Sequence, residues 1–261
     1  ERTAYAHAID LASWVPGTVP VVQADPARDA RTTIVRDALG REQYTIDGTG
    51  AVMRHVHDAN GNLVQVVRYA VRLAEGEDPW AVEASAEDRI TSFAYDAANR
   101  LVFEVDALGA VTESAYDAEG RVVRRTAYAR ALEALPEEGM SATDAIRAML
   151  VPDGEMDRTT RYAHDAAGRP VLTIHADGAV VEQRWDASGN LLARHAYANT
   201  LDPAALDDGM DVAALRALLV ASPDGDRVTR YAHDAAGRRV YEVDALGGLM
   251  GQAIDATGIQ F

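Results

Sequence analysis

Short segments of this chain carry apolar side chains two residues apart, and each segment ends at a turn signal. Alternation with a period of two, in aromatic and β-branched residues, indicates strands with one buried face. Only six or seven residues separate successive turns. A parallel crossover needs a longer connection, so these strands should pair consecutively and antiparallel. Four apolar pairs occupy equivalent positions: Tyr44/Ile46, Phe103/Val105, Leu172/Ile174 and Tyr241/Val243.

The turn signal is an Asp followed three residues later by Gly or Asn. The Asp side chain can accept hydrogen bonds from nearby backbone N–H groups, and Gly or Asn tolerates positive φ. We therefore interpret these residues as structural turn anchors rather than as catalysts or ligands. The anchors are Asp37 and Gly40, Asp96 and Asn99, Asp106 and Gly109, Asp117 and Gly120, Asp165 and Gly168, Asp186 and Gly189, Asp234 and Gly237, and Asp244 and Gly247, with Asp47, Asp58, His175 and Asp255 at the remaining turns.

The turns come in sets of three, spaced by ten and then eleven residues. The last three sets are 69 residues apart, and the first set precedes the second by 59. A fixed period of this length is typical of repeat proteins. We predict one continuous array and expect it to be a segment of a longer polypeptide. Its parts are the tail of a preceding insert (1–36), a repeat with a short insert (37–95), two repeats with helical inserts (96–164 and 165–233), and a partial repeat (234–261).

Each set is followed by an insert with a different pattern, which begins after Tyr69, Tyr128 or Tyr197. Apolar residues three and four apart predict short helices that lie on one face of the sheet. Ser141 with Asp144 resembles a capping box, and Asp211 is a predicted N-cap. The predicted stripes are Ile146, Met149 and Leu150 in one insert and Val212, Leu215, Leu218 and Leu219 in the next, which should end at Pro223–Gly225. The first insert should keep one helix around Pro79–Ala86, and the inserts return through Asp88-Arg89, Asp157-Arg158 and Asp226-Arg227.

The composition of the chain restricts its partners. A net charge of −16, from 25 Lys and Arg against 41 Asp and Glu, argues against nucleic acid and anionic membrane surfaces. No apolar run is long enough to insert into a membrane. The absence of Cys removes disulfides, thiolate metal sites and a Cys nucleophile. The partners that remain are neighbouring repeats, or copies of this chain.

Candidate chemistry is sparse. The chain has no phosphate-binding loop, zinc-protease motif or nucleophile elbow. His55 and His57 alternate on one strand but lack a third metal ligand. Asp58–Asn62 resembles part of a calcium loop without its further ligands. We therefore predict no cofactor, metal or catalytic site, although a carboxylate pair for glycoside hydrolysis stays open.

The turn motifs resemble the YD repeat of Rhs proteins, which also occurs in toxin-complex shell components, wall-associated proteins and teneurins. The motif stands as Tyr95–Arg100, Tyr116–Arg121 and Tyr162–Arg169, and the resemblance extends from Thr32 to Gly258. It implies a sheet strip that spirals into a hollow shell around a C-terminal toxin or cargo domain. It also implies that the Tyr side chains beside the turns, Tyr95, Tyr116, Tyr162 and Tyr231, serve in packing.

Two features depart from that pattern. The helical inserts are long and regular for a YD array, and the Asp-Pro-x-Gly signature that precedes the variable toxin end is absent. Asp25-Pro26, Asp78-Pro79 and Asp202-Pro203 lack the required Gly. The chain therefore carries neither the self-cleavage site nor the toxin of such a protein.

We predict a mainly β protein, in which tandem antiparallel hairpins form a curved or spiral strip with short helical inserts. The predicted function is non-enzymatic: part of a shell or fibre scaffold in a secreted or cell-surface bacterial protein, which encloses a C-terminal domain outside this chain. The alternatives are a self-assembling filament, an adhesin or carbohydrate-binding module, and a glycan-active enzyme. An adhesin predicts clustered exposed aromatic side chains, and an enzyme predicts an unrepeated acidic pair in a cleft.

Overall fold

The fold was analysed in a computed structural model that describes residues 1–8, 18–19, 21–25, 29–74, 76–134 and 142–251. The chain divides into two compact units. The first comprises Glu1–Val111 and Ala131–Leu150, and the second comprises Thr112–Arg130 and Val151–Phe261. Ser141 and the turn at Asp255 lie outside the described residues.

Strands of the first unit pair in chain order, and every pairing is antiparallel. A 3₁₀-helix follows the fifth strand, and one α-helix packs on the last two strands. The elements are β1 (Arg2–Ala4), β2 (Ala30–Arg36), β3 (Glu42–Asp47), β4 (Ala51–His57), β5 (Leu63–Arg72), the 3₁₀-helix Pro79–Ala81, β6 (Arg89–Tyr95), β7 (Leu101–Val105) and α1 (Ala142–Met149).

The second unit repeats this arrangement with antiparallel neighbours throughout. Its elements are β8 (Val111–Tyr116, whose first residue belongs to the first unit), β9 (Val122–Ala127), β10 (Arg158–His164), β11 (Pro170–Ile174), β12 (Val180–Trp185), β13 (Leu191–Ala196), the 3₁₀-helix Pro203–Ala205, α2 (Val212–Leu218), β14 (Arg227–His233), β15 (Arg239–Val243) and β16 (Leu249–Gly251). The predicted fold class, mainly antiparallel β with short helical inserts, is confirmed.

A β-bulge accounts for the alternation of ten- and eleven-residue spacings. In the β12–β13 pair the register shifts between Arg184 and Trp185, just before the third turn of the set at Asp186, and the β4–β5 pair shifts equivalently before Asp58. The strands that enter the second turns, β3 and β11, pair with the next strand without a shift. A bulge adds one residue to one strand, so the strands that enter the third turns are one residue longer.

The core of each unit lies between the sheet and the insert. In the second unit, Leu172 and Ile174 on β11 are almost fully buried with Leu206 and Leu215 of the insert. In the first unit, Phe103, Val105 and Ile146 are buried in the same manner. The equivalent Tyr241 is 51% exposed, contrary to the prediction, because no helix among the described residues covers β15.

The helix predictions need correction in detail. The helix α2 ends at Leu218, well before Pro223, and the one helix in the described part of the first insert is the 3₁₀-helix Pro79–Ala81. Ile146 and Leu215 are buried as predicted, but Met149 is 37% exposed and Leu218 is 43% exposed. Helices of seven or eight residues make about two turns, so one residue of each stripe is fully buried, while Val212 and Leu219 at the ends of the α2 stripe are half-buried against the core.

Candidate functional site

The Asp-x-x-Gly turns alternate between the two edges of the sheet at which its strands end, and they share one hydrogen-bonding arrangement. At Asp165, Oδ1 accepts hydrogen bonds from the backbone N–H groups of Ala167 (2.9 Å) and Arg169 (3.0 Å). The N–H of Gly168 donates to the Asp165 carbonyl at 2.9 Å. Arg169 Nε donates to Asp165 Oδ2 at 2.8 Å. One carboxylate thus holds the whole turn.

All sixteen predicted anchor residues occupy such turns. In each of these turns the third residue after Asp donates its N–H to the Asp carbonyl at 2.9–3.2 Å. That residue has positive φ in every case: Gly40, Asn99, Gly109, Gly120, Gly168, Gly189, Gly237 and Gly247, with Asn99 at 59° and the glycines between 76° and 89°. At the weaker His175 turn, Asp177 Oδ1 accepts from the N–H of Ala179 at 3.0 Å, which the sequence analysis missed.

Arginine side chains connect the first and third turns of the sets, which lie at the same edge of the sheet. In the second unit, Arg121 Nη1 donates to the Asp165 carbonyl (3.2 Å), and Arg169 Nη1 donates to the Asp186 carbonyl (2.7 Å). In the first unit, Arg41 Nη1 reaches the Asp58 carbonyl at 3.2 Å. Each of these arginines also binds its own turn Asp, so the side chain ties two turns together.

The turn carboxylates are stabilised in their charged form. Hydrogen bonds from the Arg169 side chain and backbone lower the pKa of Asp165 below its ordinary value of 3.8. The side chain and backbone of Asn190 have the same effect on the pKa of Asp186. A hydrogen bond or ion pair to the charged form favours ionisation. Ionised carboxylates that are fully engaged by their own turns are poor candidates for proton transfer.

A second recurring contact joins each insert to the opposite turn edge. The N–H of Leu201 donates to the Gly178 carbonyl at 2.9 Å, and Leu132 binds Gly109 equivalently at 2.8 Å. A Cβ on Gly178 would stand 2.0 Å from the Leu201 carbonyl oxygen. At Gly50 the distance to the Leu73 oxygen would be 2.1 Å. These glycines therefore provide positive φ and also the space in which the insert crosses the turn.

The far end of each insert is closed by a carboxylate that the sequence analysis did not assign to a site. In the third set, Asp226 Oδ1 accepts from the N–H of Ala198 (2.8 Å), and Oδ2 accepts from the N–H of Ser222 (3.0 Å). His195 Nε2 lies 2.9 Å from the same Oδ2. Asp29, Asp88 and Asp157 bind the equivalent backbone groups of Ala6, Ala70 and Ala129. The recurring Asp-Arg dipeptide, at Asp88, Asp157 and Asp226, was the available signal.

Each insert also covers the second of the four strands in the set before it. Trp80 meets Tyr44 edge-on, with 4.8 Å between ring centroids. The Arg147 guanidinium lies 5.2 Å from the centroid of the Phe103 ring. In the third set, Leu206 and Leu215 pack against Leu172. Each insert is therefore held by backbone hydrogen bonds near its start, by an Asp carboxylate at its end, and by side-chain packing on the sheet between them.

One buried ionic group lies under the third insert. Glu182 is only 3% exposed and accepts from Tyr197 Oη (2.7 Å) and from Arg216 Nε (3.0 Å). Burial, together with this hydrogen bond to Glu182, raises the pKa of Tyr197 to about 12. Tyr128 and Glu113 form the equivalent pair at 2.7 Å. The Tyr that begins an insert therefore binds an acid on the third strand of its set.

The described residues contain no arrangement of side chains that resembles a metal site or a catalytic carboxylate pair. No group of three or more His, Asp or Glu side chains in that part of the chain is arranged to hold a metal ion. A groove of 760 Å³ in the second unit contains two carboxylates, Asp165 and Glu182, and arginines bind both. At Asp58, both oxygens accept hydrogen bonds from Asn62, which uses them within the turn. Nor does any helix of the described segments have the length and apolar content to cross a membrane.

Comparison with known families identifies the repeat. Residues 95–131 match the sequence model of the family described as RHS Repeat. That segment begins at the Tyr before the Asp96 turn and includes the turns at Asp106 and Asp117, together with the start of the following insert. The resemblance to Rhs and YD-repeat proteins is confirmed.

Solved structures share the fold across most of this chain. The crystal structure of TcdB2-TccC3 has a TM-score of 0.53 and 18% sequence identity over 88% of this chain. That of TcdB2-TccC3-Cdc42 has a TM-score of 0.52 and 18% identity over 89%. In both comparisons this chain spans 10% of the other chain. At this level of identity the likeness establishes the fold alone.

A curated relative matches only a short segment. The tRNA uridine 5-carboxymethylaminomethyl modification enzyme MnmG of Rhodopirellula baltica is 82% identical over 27 residues. The match covers 10% of this chain and 4% of that protein. It is too short to assign an activity.

Proposed function

We propose that this chain is a structural repeat segment of an Rhs-like protein and that it forms part of the wall of a large secreted or cell-surface bacterial assembly. The wall would enclose a cargo domain that lies outside this chain. Its partners would be the neighbouring repeats and that enclosed domain. The resemblance to Rhs repeats supports both the wall and the enclosed cargo, and the fold shared with TcdB2-TccC3 supports a continuous repeat array.

The proposal rests on one observation: the polar side chains that recur with the repeat bind other groups of this same chain. The Asp165 carboxylate binds its own turn, while Asp226 closes an insert. Arg169 also links two turns. Functional sites in enzymes usually occur once, whereas these groups recur with the repeat and bind the protein itself. Such a pattern favours a scaffold over a catalyst.

The scattered positions of the exposed aromatic residues argue against the adhesin alternative. A sugar-binding face needs aromatic side chains grouped on one surface, so that rings can stack on the ligand. Among the described residues, Tyr5, Trp80 and Tyr241 are at least 45% exposed, and they belong to three different sets. Trp80 is also engaged with Tyr44. The observations therefore favour the wall over the carbohydrate binder.

Electron microscopy of the complete polypeptide that contains this segment tests the proposal. We expect closed hollow particles with internal density for the enclosed domain. Limited proteolysis supplies the second readout, since an enclosed domain should resist cleavage until the particle is denatured. Open strips or continuous filaments would refute enclosure and make the repeat-to-repeat contact the functional surface.

A further inference from the structure

The two faces of the sheet in the second unit differ in what they carry. On β10, Arg161 points to the insert and lies 3.4 Å from Asp208, while Thr159 Oγ1 lies 3.1 Å from Thr126 Oγ1 on the same face. Side chains alternate along a strand, so Arg158 lies on the opposite face. We call the face with Arg161 the insert face and the opposite one the bare face.

Exposed arginines recur on the bare face. Arg158 and Arg227 are the first residues of β10 and β14, stand 69 positions apart, and are both exposed. Arg194 is exposed on β13 and pairs in register with Thr229, so it lies beside Arg227 on this face. Within the described residues, the side chains of these three arginines form no hydrogen bond or ion pair. An unpaired basic row is notable in a chain whose net charge is −16.

The insert supplies the opposite charge. Residues 198–226 contain six Asp and a single Arg. Asp207 and Asp224 are exposed there, and neither forms an ion pair in the described part of the chain. The insert of one molecule therefore presents carboxylates without an ion pair where the bare face presents unpaired arginines, and complementary charges of this kind promote association.

We propose that the bare face binds the acidic insert of a second copy of this chain, so that sheets of successive copies stack with the inserts between them. Single exposed ion pairs contribute little, but several complementary pairs act together and are screened by salt. The occupant is a second copy because this chain itself carries both complementary surfaces. The inference goes beyond the proposed wall, and its test does not require the complete particle.

Analytical ultracentrifugation of the chain at about 20 mM and about 500 mM NaCl tests the contact. We expect self-association at low salt and a dissociation constant at least about tenfold weaker at high salt. The double variant R158E/R227E should weaken the low-salt association by a similar factor. The matched control is R184E/R230E, which makes the same charge change on the insert face, and Arg230 lies on the same strand as Arg227. This control should not weaken the association.

Three results would overturn the proposal. The first is a monomer at every protein and salt concentration. The second is association that R158E/R227E leaves unchanged or that R184E/R230E weakens equally. The third is a monomeric chain that binds a poly-glutamate peptide through Arg158 and Arg227, because the occupant would then be a different acidic polypeptide. Circular dichroism of each variant checks that the β fold is retained.

Discussion

At the residue scale, Asp serves two purposes in this protein. At Asp165 it organises a local turn, because Oδ1 accepts from the backbone N–H groups two and four residues on. At Asp226 it joins segments 28 residues apart, through the N–H of Ala198. The role of Asp165 in its turn follows from the local spacing of Asp and Gly and was predicted. The role of Asp226 depends on how the insert returns to the sheet, and its one signal in the sequence was the recurring Asp-Arg dipeptide.

Glycines in equivalent turns should differ in how much they contribute to stability. Gly178→Ala should lower the free energy of unfolding by about 2 kcal/mol or more, because it adds strain at positive φ and forces the Leu201 contact apart. Gly247→Ala is the matched control: its φ is 83°, but nothing lies within 4 Å of the added Cβ. It should cost only about 1 kcal/mol. Urea denaturation measures both values, and equal losses would contradict the proposed crossing contact.

Acid should destabilise the protein through these carboxylates. Hydrogen bonds from the Arg169 side chain and backbone hold the pKa of Asp165 below 3.8, and the Ala198 N–H foremost holds that of Asp226 down. A group with a lowered folded pKa stabilises the fold above its unfolded pKa, and this contribution is lost as the pH falls through the folded value. The urea midpoint should therefore fall steadily below about pH 4.

Substitution tests this assignment. Asp226→Asn should reduce stability at pH 7 and flatten the acid dependence, because the charged acceptor is removed. Asp224→Asn is the control, since the Asp224 side chain makes no hydrogen bond in the described part of the chain. A wild-type midpoint that holds down to pH 2, or equal effects of the two substitutions, would show that these carboxylates do not set the acid limit.

At the element scale, the strands were predictable and the inserts only partly so. Alternation at Phe103/Val105 and Leu172/Ile174 places these residues correctly in buried strands. The prediction that the equivalent position is buried is wrong at Tyr241, because burial there requires an insert that covers the strand. The apolar stripe on α2 likewise predicted the helix correctly, but it did not show that Leu215 would be buried and Leu218 exposed.

Truncation of the α2 stripe should reveal that difference. Leu215 is 5% exposed and packs on the strand core, so Leu215→Ala should cost about 2–4 kcal/mol through lost burial and a cavity. Leu218 is 43% exposed, and Leu218→Ala should cost less than about 0.5 kcal/mol. Thermal or urea unfolding compares the two. Similar losses would mean that the insert packs through a different face.

At the scale of the whole molecule, each unit is a one-dimensional array. Among the described residues, strands pair with their neighbours in the chain, and an insert covers the set before it. In such arrays stability is approximately a sum of repeat and neighbour contributions. The chain should therefore tolerate the loss of a full period better than that of a partial one.

Removal of residues 158–226 deletes one period of 69 residues and joins Asp157 to Arg227. The Asp-Arg junction is preserved, and β9 gains β14 as a neighbour equivalent to β10. We expect a folded protein with a β-type circular dichroism spectrum and a cooperative melt. Deletion of residues 158–221 is the control, because it leaves an unmatched fragment of the insert. An unfolded product from the full-period deletion would refute the interchangeability of the sets.

The sequence by itself determined the hairpins, their period and the turn anchors. Those features depend on interactions within a few residues, such as Asp165 with Arg169, and on the two-residue periodicity of strands. The tertiary structure alone decided that Gly178 must make room for Leu201, that Asp226 closes the insert, and that Arg158 and Arg227 share a bare face. The contacts at Gly178 and Asp226 join residues more than twenty positions apart, and the shared face follows from pairing across several strands, so local patterns carry no direct signal for them.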